Sequence, residues 1–153
     1  MADTYTQIYL QFVFAVENRL SLIRPPWKVE LYRYITGIVQ GNKHKLIAIN
    51  GPPNHVHVLV GYEPHQLIPE LLQQIKGGAS KWINDRRFTA GRFRWQAGYG
   101  AFSYARSQIS DVAAYIERQE EHHRARSFGK EYREMLRKAD IAFEERDILK
   151  DVT

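Results

Sequence analysis

The sequence predicts an α+β fold: a ferredoxin-like antiparallel β-sheet with helices on one face and a further helix toward the C-terminus. Three observations lead there. Period-two apolar patterning, the mark of a half-buried strand, picks out the first strand and the histidine-bearing run, and two shorter strand-like stretches accompany them. Apolar residues at helical spacing fall between them, in the order strand, helix, strand, strand, helix, strand. A third helical pattern follows the last strand.

Tyr5 to Val16 reads as the first strand, with Ile8, Leu10, Phe12, Phe14 and Val16 on one face. Asn18 to Pro26 is a connection, and Pro25-Pro26 stands where a helix can begin. From Trp27 to Gln40, Leu31, Ile35, Ile38 and Val39 recur at helical spacing, and Gly41-Asn42 ends the run. Lys45 to Asn50 is a short strand. Gly51-Pro52-Pro53-Asn54 supplies a turn, and the chain returns through Tyr62, so these two strands form an antiparallel hairpin. A second helix is expected from about His65 to Arg86, with Pro69 tolerable only near its first turn. Its buried stripe is Leu67, Leu71, Ile75, Ala79 and Trp82. Gly77-Gly78 interrupts it at roughly 1 kcal/mol per glycine relative to alanine, which marks a kink or a close backbone approach. Phe93 to Tyr104 is strand-like, bent or bulged at Gly98 and Gly100. Ser107 or Ser110 caps a third helix, with Asp111 favourable in its first turn, and that helix carries Tyr115, Gln119, His122 and His123. Phe128 to Thr153 is charge-rich and expected to be helical, with no task assigned to it.

The 153 residues are expected to form one domain, with a core over about 5–125 and a charged tail over about 128–153. No apolar run approaches the length of a membrane span, and the N-terminus lacks the layout of a signal peptide. The absence of cysteine excludes disulfides and thiolate metal sites, and a cytoplasmic location is expected. Lys plus Arg number 22 against 17 acids, a formal charge of +5. Lys76, Lys81, Arg86, Arg87, Arg92 and Arg94 lie close together with Asp85 as the one acid between them, interleaved with Trp82, Phe88, Phe93 and Trp95. That composition suits a nucleic-acid surface, although a solvated helix end would share it.

The chemistry gathers at Asn54-His55-Val56-His57-Val58-Leu59-Val60. Alternation along a strand puts His55, His57 and Leu59 on one face and the three valines on the other. Two imidazoles side by side can share a metal ion, though a polar strand face can also carry histidine twice without one. Tyr115 and Gln119 are four apart, hence neighbours on one helix face. Gln119 offers an amide oxygen to a hard cation; two imidazoles and an oxygen suit Mn²⁺ and tolerate Mg²⁺, whereas a closed zinc site would want a fourth protein ligand. Tyr115 is the candidate nucleophile toward phosphorus, its attack helped by a cation that withdraws charge from a phosphodiester.

His55-Val56-His57, the run Tyr115-Ile116-Glu117-Arg118-Gln119 and the aromatic stretch Trp95-Gln96-Ala97-Gly98-Tyr99-Gly100 together resemble the single-tyrosine HUH transposases of the IS200-like insertion sequences. The likeness spans roughly Tyr5 to His123. It implies a ferredoxin-like fold with a C-terminal catalytic helix, and a divalent metal, Mg²⁺ or Mn²⁺, held by His55, His57 and Gln119. It further implies a 5′-phosphotyrosine link through Tyr115, with single-stranded DNA hairpins as substrates. Family members are homodimers in which the tyrosine helix of one subunit can complete its partner's histidine site, so Tyr115 is a candidate to act in trans. His122 and His123 are weaker candidates for phosphate contact beside the six basic residues. His44 and His65 are expected to be solvated.

Two rivals frame the expectation. A histidine-triad nucleotide hydrolase would carry a third alternating histidine where Leu59 stands. A non-catalytic or domesticated single-strand binder would use an open four-stranded sheet with exposed aromatics to stack bases.

Overall fold

The computed structural model describes residues 3–119, 127–145 and 148. Its elements are β1 (Tyr9–Ala15), α1 (Lys28–Gly41), β2 (Lys45–Asn50), β3 (His55–Gly61), α2 (Ile68–Arg86), β4 (Gly100–Tyr104), α3 (Ile109–Glu117) and α4 (Phe128–Lys138). The four strands form one antiparallel sheet in the order β2-β3-β1-β4, the ferredoxin-like arrangement. The two central strands are therefore the most apolar one and the histidine strand.

Alternation sorts the sheet into two faces. Phe12, Phe14, Val56, Val58 and Val60 pack against Leu31 and Ile35 of α1 and Leu71, Ile75 and Ala79 of α2 in the main core. The opposite face is not open. Ala48 and Leu59 are covered by Ile116 of α3, and Val13, Ala15 and Phe102 by Phe128 and Leu136 of α4. Helices thus lie on both sides of the sheet.

Several expectations need correction. The first strand begins at Tyr9, not Tyr5, and the last strand is confined to Gly100–Tyr104. Trp95 makes only an isolated bridge to Val16. Helix α2 begins at Ile68 because Pro69 lacks the N–H that an interior position would require. It runs unkinked through Gly77-Gly78, and the second glycine is explained by α1: a Cβ at Gly78 would stand 3.2 Å from Ile38 Cδ1 and 3.3 Å from the Tyr34 hydroxyl. Neither Ser107 nor Ser110 caps α3, which is led in by a 3₁₀ turn over Arg106–Gln108, where the Gln108 Oε1 accepts the Ala105 N–H at 2.8 Å. Helix α3 ends at Glu117, short of the predicted length. Among the described residues the tail forms an α-helix over Phe128–Lys138, after which Asp140 turns through a left-handed conformation at φ 56°.

Of the interleaved aromatics, two are buried and two half-buried. Phe93 and Trp95 belong to the main core, and Trp82 stacks on Tyr34 at 5.3 Å. Phe88 stacks on Trp27 at 5.3 Å. Phe93 and Trp95 are thereby withdrawn from stacking, while Trp82 and Phe88 keep part of their surface exposed.

Two local features position the site. Strand β2 carries a bulge between Leu46 and Ala48, so that Leu46 faces Val60 while Ala48 faces Leu59. Past the bulge, Asn50 pairs with His57, and its amide donates to the Glu117 carbonyl at 3.0 Å, tying the sheet edge to the end of α3. Gly100, opposite Val13, lies under α4: a Cβ there would come within 2.7 Å of the Tyr132 ring. Tyr132 is itself stacked on Phe128 at 5.2 Å and has little room to yield. Gly100→Val is expected to lift α4 from the sheet and destabilise the fold by about 1–3 kcal/mol, measured by urea unfolding, with the sheet retained in circular dichroism. No helix among the described residues is long and apolar enough to cross a membrane.

Candidate active site

The site lies in the seam between the two small clusters on the covered sheet face. His55 and His57 are fully buried, their rings 5.0 Å apart. Each ring is held from behind. His55 Nδ1 is 2.7 Å from Asn54 Oδ1, and His57 Nδ1 is 2.8 Å from the Gln11 amide nitrogen. Gln11 in turn accepts the Tyr104 hydroxyl at 2.7 Å. These partners turn both Nε2 atoms toward the same point.

At that point stands a carboxylate from α4. Glu131 Oε1 lies 2.9 Å from His55 Nε2 and 3.0 Å from His57 Nε2. Its other oxygen, Oε2, accepts the hydroxyl of Tyr115 in a short hydrogen bond, with the Gln119 amide nitrogen at 3.4 Å. Glu131 is 5% exposed. Burial by itself would raise its pKa, but hydrogen bonds from the two histidines and their charges hold it far below the usual carboxylate range.

The donor set calls for positive charge. An N–H at His55 Nδ1 donating to Asn54 leaves a lone pair on Nε2, directed at a carboxylate oxygen. Two such electron-rich atoms at 2.9 Å repel unless a proton or a metal ion lies with them. Gln119 adds a second sign: it is fully buried, yet its Oε1 has no hydrogen-bond partner. Two imidazoles and a carboxylate, with a buried amide that could turn its unpartnered oxygen toward them, fit a hard or borderline divalent cation. His55, His57 and Glu131 form a group able to hold a metal ion.

Tyr115 is half-buried on α3, its ring 6.4 Å from that of His57. A cleft of about 630 Å³ opens beside it, lined by Tyr104, Asp111, Tyr115, Glu131, Glu134 and Lys138 among others. The nucleophile candidate therefore stands between a solvent-open cleft and the buried imidazoles of its own chain.

A family model described as Transposase IS200 like matches residues 4–119. The chain belongs to the IS200-like transposase family. No curated protein matches it. A crystal structure of a transposase from Deinococcus radiodurans R1 is similar in fold, at 19% identity and a TM-score of 0.61, covering 78% of this chain and 95% of that one. So is a REP-associated tyrosine transposase bound to a REP hairpin, at 15% identity and a TM-score of 0.61, covering 80% and 73%.

Of the residues singled out in the sequence, this transposase brings His55, His57, Tyr115 and Gln119 together around one carboxylate. The basic residues do not join them. Lys76 is turned inward, its amine donating to the Gln96 and Gly98 carbonyls at 2.9 and 2.8 Å, and burial lowers its pKa. Lys81 is exposed and paired with Asp85; Arg86 lies over Trp82, 5.6 Å from the ring centre. Both stand on α2, which packs on the valine face, across the sheet from the histidines. Arg87, Arg92 and Arg94 are exposed. His122 and His123 lie outside the described residues. His65 is exposed as expected, but His44 is buried, stacked on Tyr62 at 4.2 Å and hydrogen-bonded to Gln66.

Glu131 was not singled out. The signal available was an acid inside an apolar stripe: Phe128, Glu131, Tyr132, Met135 and Leu136 follow helical spacing on one face. The Gln11 amide donates to His57 Nδ1, which leaves the ring proton on Nε2 to meet Glu131, so metal binding at Nε2 requires the amide to turn its oxygen to Nδ1–H. Gln11→Leu, which removes that acceptor, is expected to weaken Mn²⁺ affinity about 10–100-fold with the fold intact, as read by titration calorimetry.

Proposed function

We propose that this transposase cuts and rejoins single-stranded DNA hairpins by transesterification through Tyr115. The observation that carries the reading is the Tyr115 hydroxyl, hydrogen-bonded to the carboxylate that both imidazoles contact. Attack by the phenol oxygen forms an O–P bond and breaks the bond from phosphorus to the 3′ oxygen, which leaves as a hydroxyl after taking up a proton. The 5′-phosphotyrosine retains the energy of the broken linkage, and a new 3′-hydroxyl reverses the step. No nucleotide cofactor is required.

The cleft lining argues for a cation. Asp111, Glu131 and Glu134 line it together with Lys138, so among the described residues a phosphodiester there lies close to carboxylates. His55, His57 and Gln119 are the residues that would hold Mg²⁺ or Mn²⁺, the last through its orphaned oxygen. When bound, such an ion supplies Lewis-acid withdrawal of charge from a phosphate oxygen. The hairpin-bound state of the similar REP-associated transposase supports hairpin DNA as the substrate. Assembly as a homodimer remains part of the reading. Tyr115 reaches the imidazoles of its own subunit, so transfer in cis needs no exchange of α3. The open-sheet binder is the weaker reading, because α3 and α4 cover the face on which bases would stack.

Incubation of the protein with Mn²⁺ and a labelled single-stranded hairpin is expected to give a denaturation-resistant protein–DNA band. Tyr115→Phe and chelation should each abolish it while binding persists; a band surviving Tyr115→Phe would move the nucleophile elsewhere. Backbone contact is assigned to the exposed Arg87, Arg92 and Arg94. The double variant Arg92→Ala/Arg94→Ala should lower hairpin affinity and reduce the slope of log affinity against log salt by about 1–2, measured by fluorescence anisotropy.

A further inference from the structure

Glu131 lies beyond residues 4–119, the span the family match covers, on a helix the chain folds back over its own histidines. We propose that Glu131 is a bridging residue: Oε1 is a ligand to the divalent cation, and Oε2 holds the Tyr115 hydroxyl, so one carboxylate assembles nucleophile and cation in a single chain. The inference rests on the transesterification reading for the role of Tyr115, but not for the metal ligation.

The first argument is spacing. Adjacent ligand atoms in an octahedral shell with bonds of about 2.1 Å stand about 3.0 Å apart. Glu131 Oε1 is 2.9 and 3.0 Å from the two Nε2 atoms, the separation of neighbouring ligands. It stands at the point both rings face, so a cation would take that point and Oε1 would draw aside to its flank. The second is the neighbouring orphan. Gln119 Oε1 is buried and unpartnered, while its nitrogen makes only a 3.4 Å contact to Glu131. Were the carboxylate no more than a plug for the histidines, the amide would gain by turning its donor fully onto it. An amide oxygen left without a donor is explained by a cation among the same four side chains.

The third argument is how firmly Glu131 is seated. Ser127 caps α4 by accepting the Lys130 N–H at 3.2 Å. The Phe128 ring lies 4.5 Å from that of His55 and has the Arg19 guanidinium 4.7 Å from its centre. Phe102 meets Tyr132 edge-on at 6.4 Å. This aromatic seat fixes the helix from the turn before the carboxylate to the residue after it, the support expected of a ligand.

Tyr115 has a rotatable phenol on one side of an open cleft. Without an acceptor it samples other orientations, and each costs rate through lost alignment. Glu131 Oε2 supplies that acceptor, on the same carboxylate that both imidazoles contact. Glu131 is thus a metal ligand and, toward Tyr115, a positioning residue.

The test measures Mn²⁺ affinity of the full chain without DNA, by loss of the free-ion paramagnetic resonance signal, for wild type, E131Q, E131D and the exposed control E144Q. Glu131→Gln is expected to raise the Kd about 10–100-fold, E131D to recover part of the loss, and E144Q to leave it unchanged. Thermal melting identifies any variant that has unfolded, and E131D, which keeps the charge, stands in should E131Q do so. An E131Q protein that binds Mn²⁺ as tightly as wild type, or more tightly, overturns the ligand assignment and makes the carboxylate a competitor of the metal. At saturating Mn²⁺ and with hairpin DNA, E131Q should still form adduct about tenfold or more slowly with unchanged KM; full recovery of kcat would overturn the positioning role. Loss of Mn²⁺ affinity in E131Q beside a wild type that forms no tyrosyl adduct supports the ligand assignment while ending the transesterification reading. An adduct-forming wild type whose Mn²⁺ affinity survives E131Q does the reverse.

Discussion

A carboxylate buried against two imidazoles is the constraint around which the rest is arranged. Removing an ionised acid from water costs several kcal/mol unless positive charge and hydrogen bonds meet it. Here Glu131 receives both from the histidines and a further hydrogen bond from Tyr115. Three elements meet in it: the histidines come from β3, Tyr115 from α3 and Glu131 itself from α4. The interaction therefore reports on the whole fold. It forms only when the sheet, the tyrosine helix and the last helix are all in place.

The central strands suit this demand. Strands β1 and β3 lie in the middle of the sheet and are covered on both faces, so their polar side chains sit in a low-dielectric interior. Gln11 and Asn54 are the neighbours that keep the rings of His57 and His55 from turning away. Such partners fix which ring nitrogen faces the centre, and they tune its basicity. The valine face meanwhile builds an ordinary aliphatic core with α1 and α2, leaving the opposite face free to be polar at its centre.

Much of this arrangement was legible in the residues. The alternation through His55-Val56-His57 gave both the strand and the pairing of imidazoles, because a pleat has only two faces. The four-residue step from Tyr115 to Gln119 gave their convergence, although α3 itself ends between them at Glu117. What could not be read was long-range: Glu131 meets His57 across 74 positions of chain, and no local pattern encodes which sheet face a tail helix will cover. The burial of aromatics in the basic segment was hidden for a related reason. Composition shows that Phe93 and Trp95 accompany arginines, but not that their rings pack into the interior while Arg92 and Arg94 point out. Lys76 is the same lesson reversed, a cation turned inward to tie a loop.

The irregularity in β2 has a geometric outcome. One extra residue between Leu46 and Ala48 sets which side chain of that edge strand stands across from His57, and so how far along the sheet Asn50 grips the last carbonyl of α3. Strand residues advance by about 3.3 Å, roughly the length of a hydrogen bond. The reach of the phenol is thus metered by a single inserted amino acid on the neighbouring strand, a vernier that evolution or design could shift by one notch without touching any group in the chemistry.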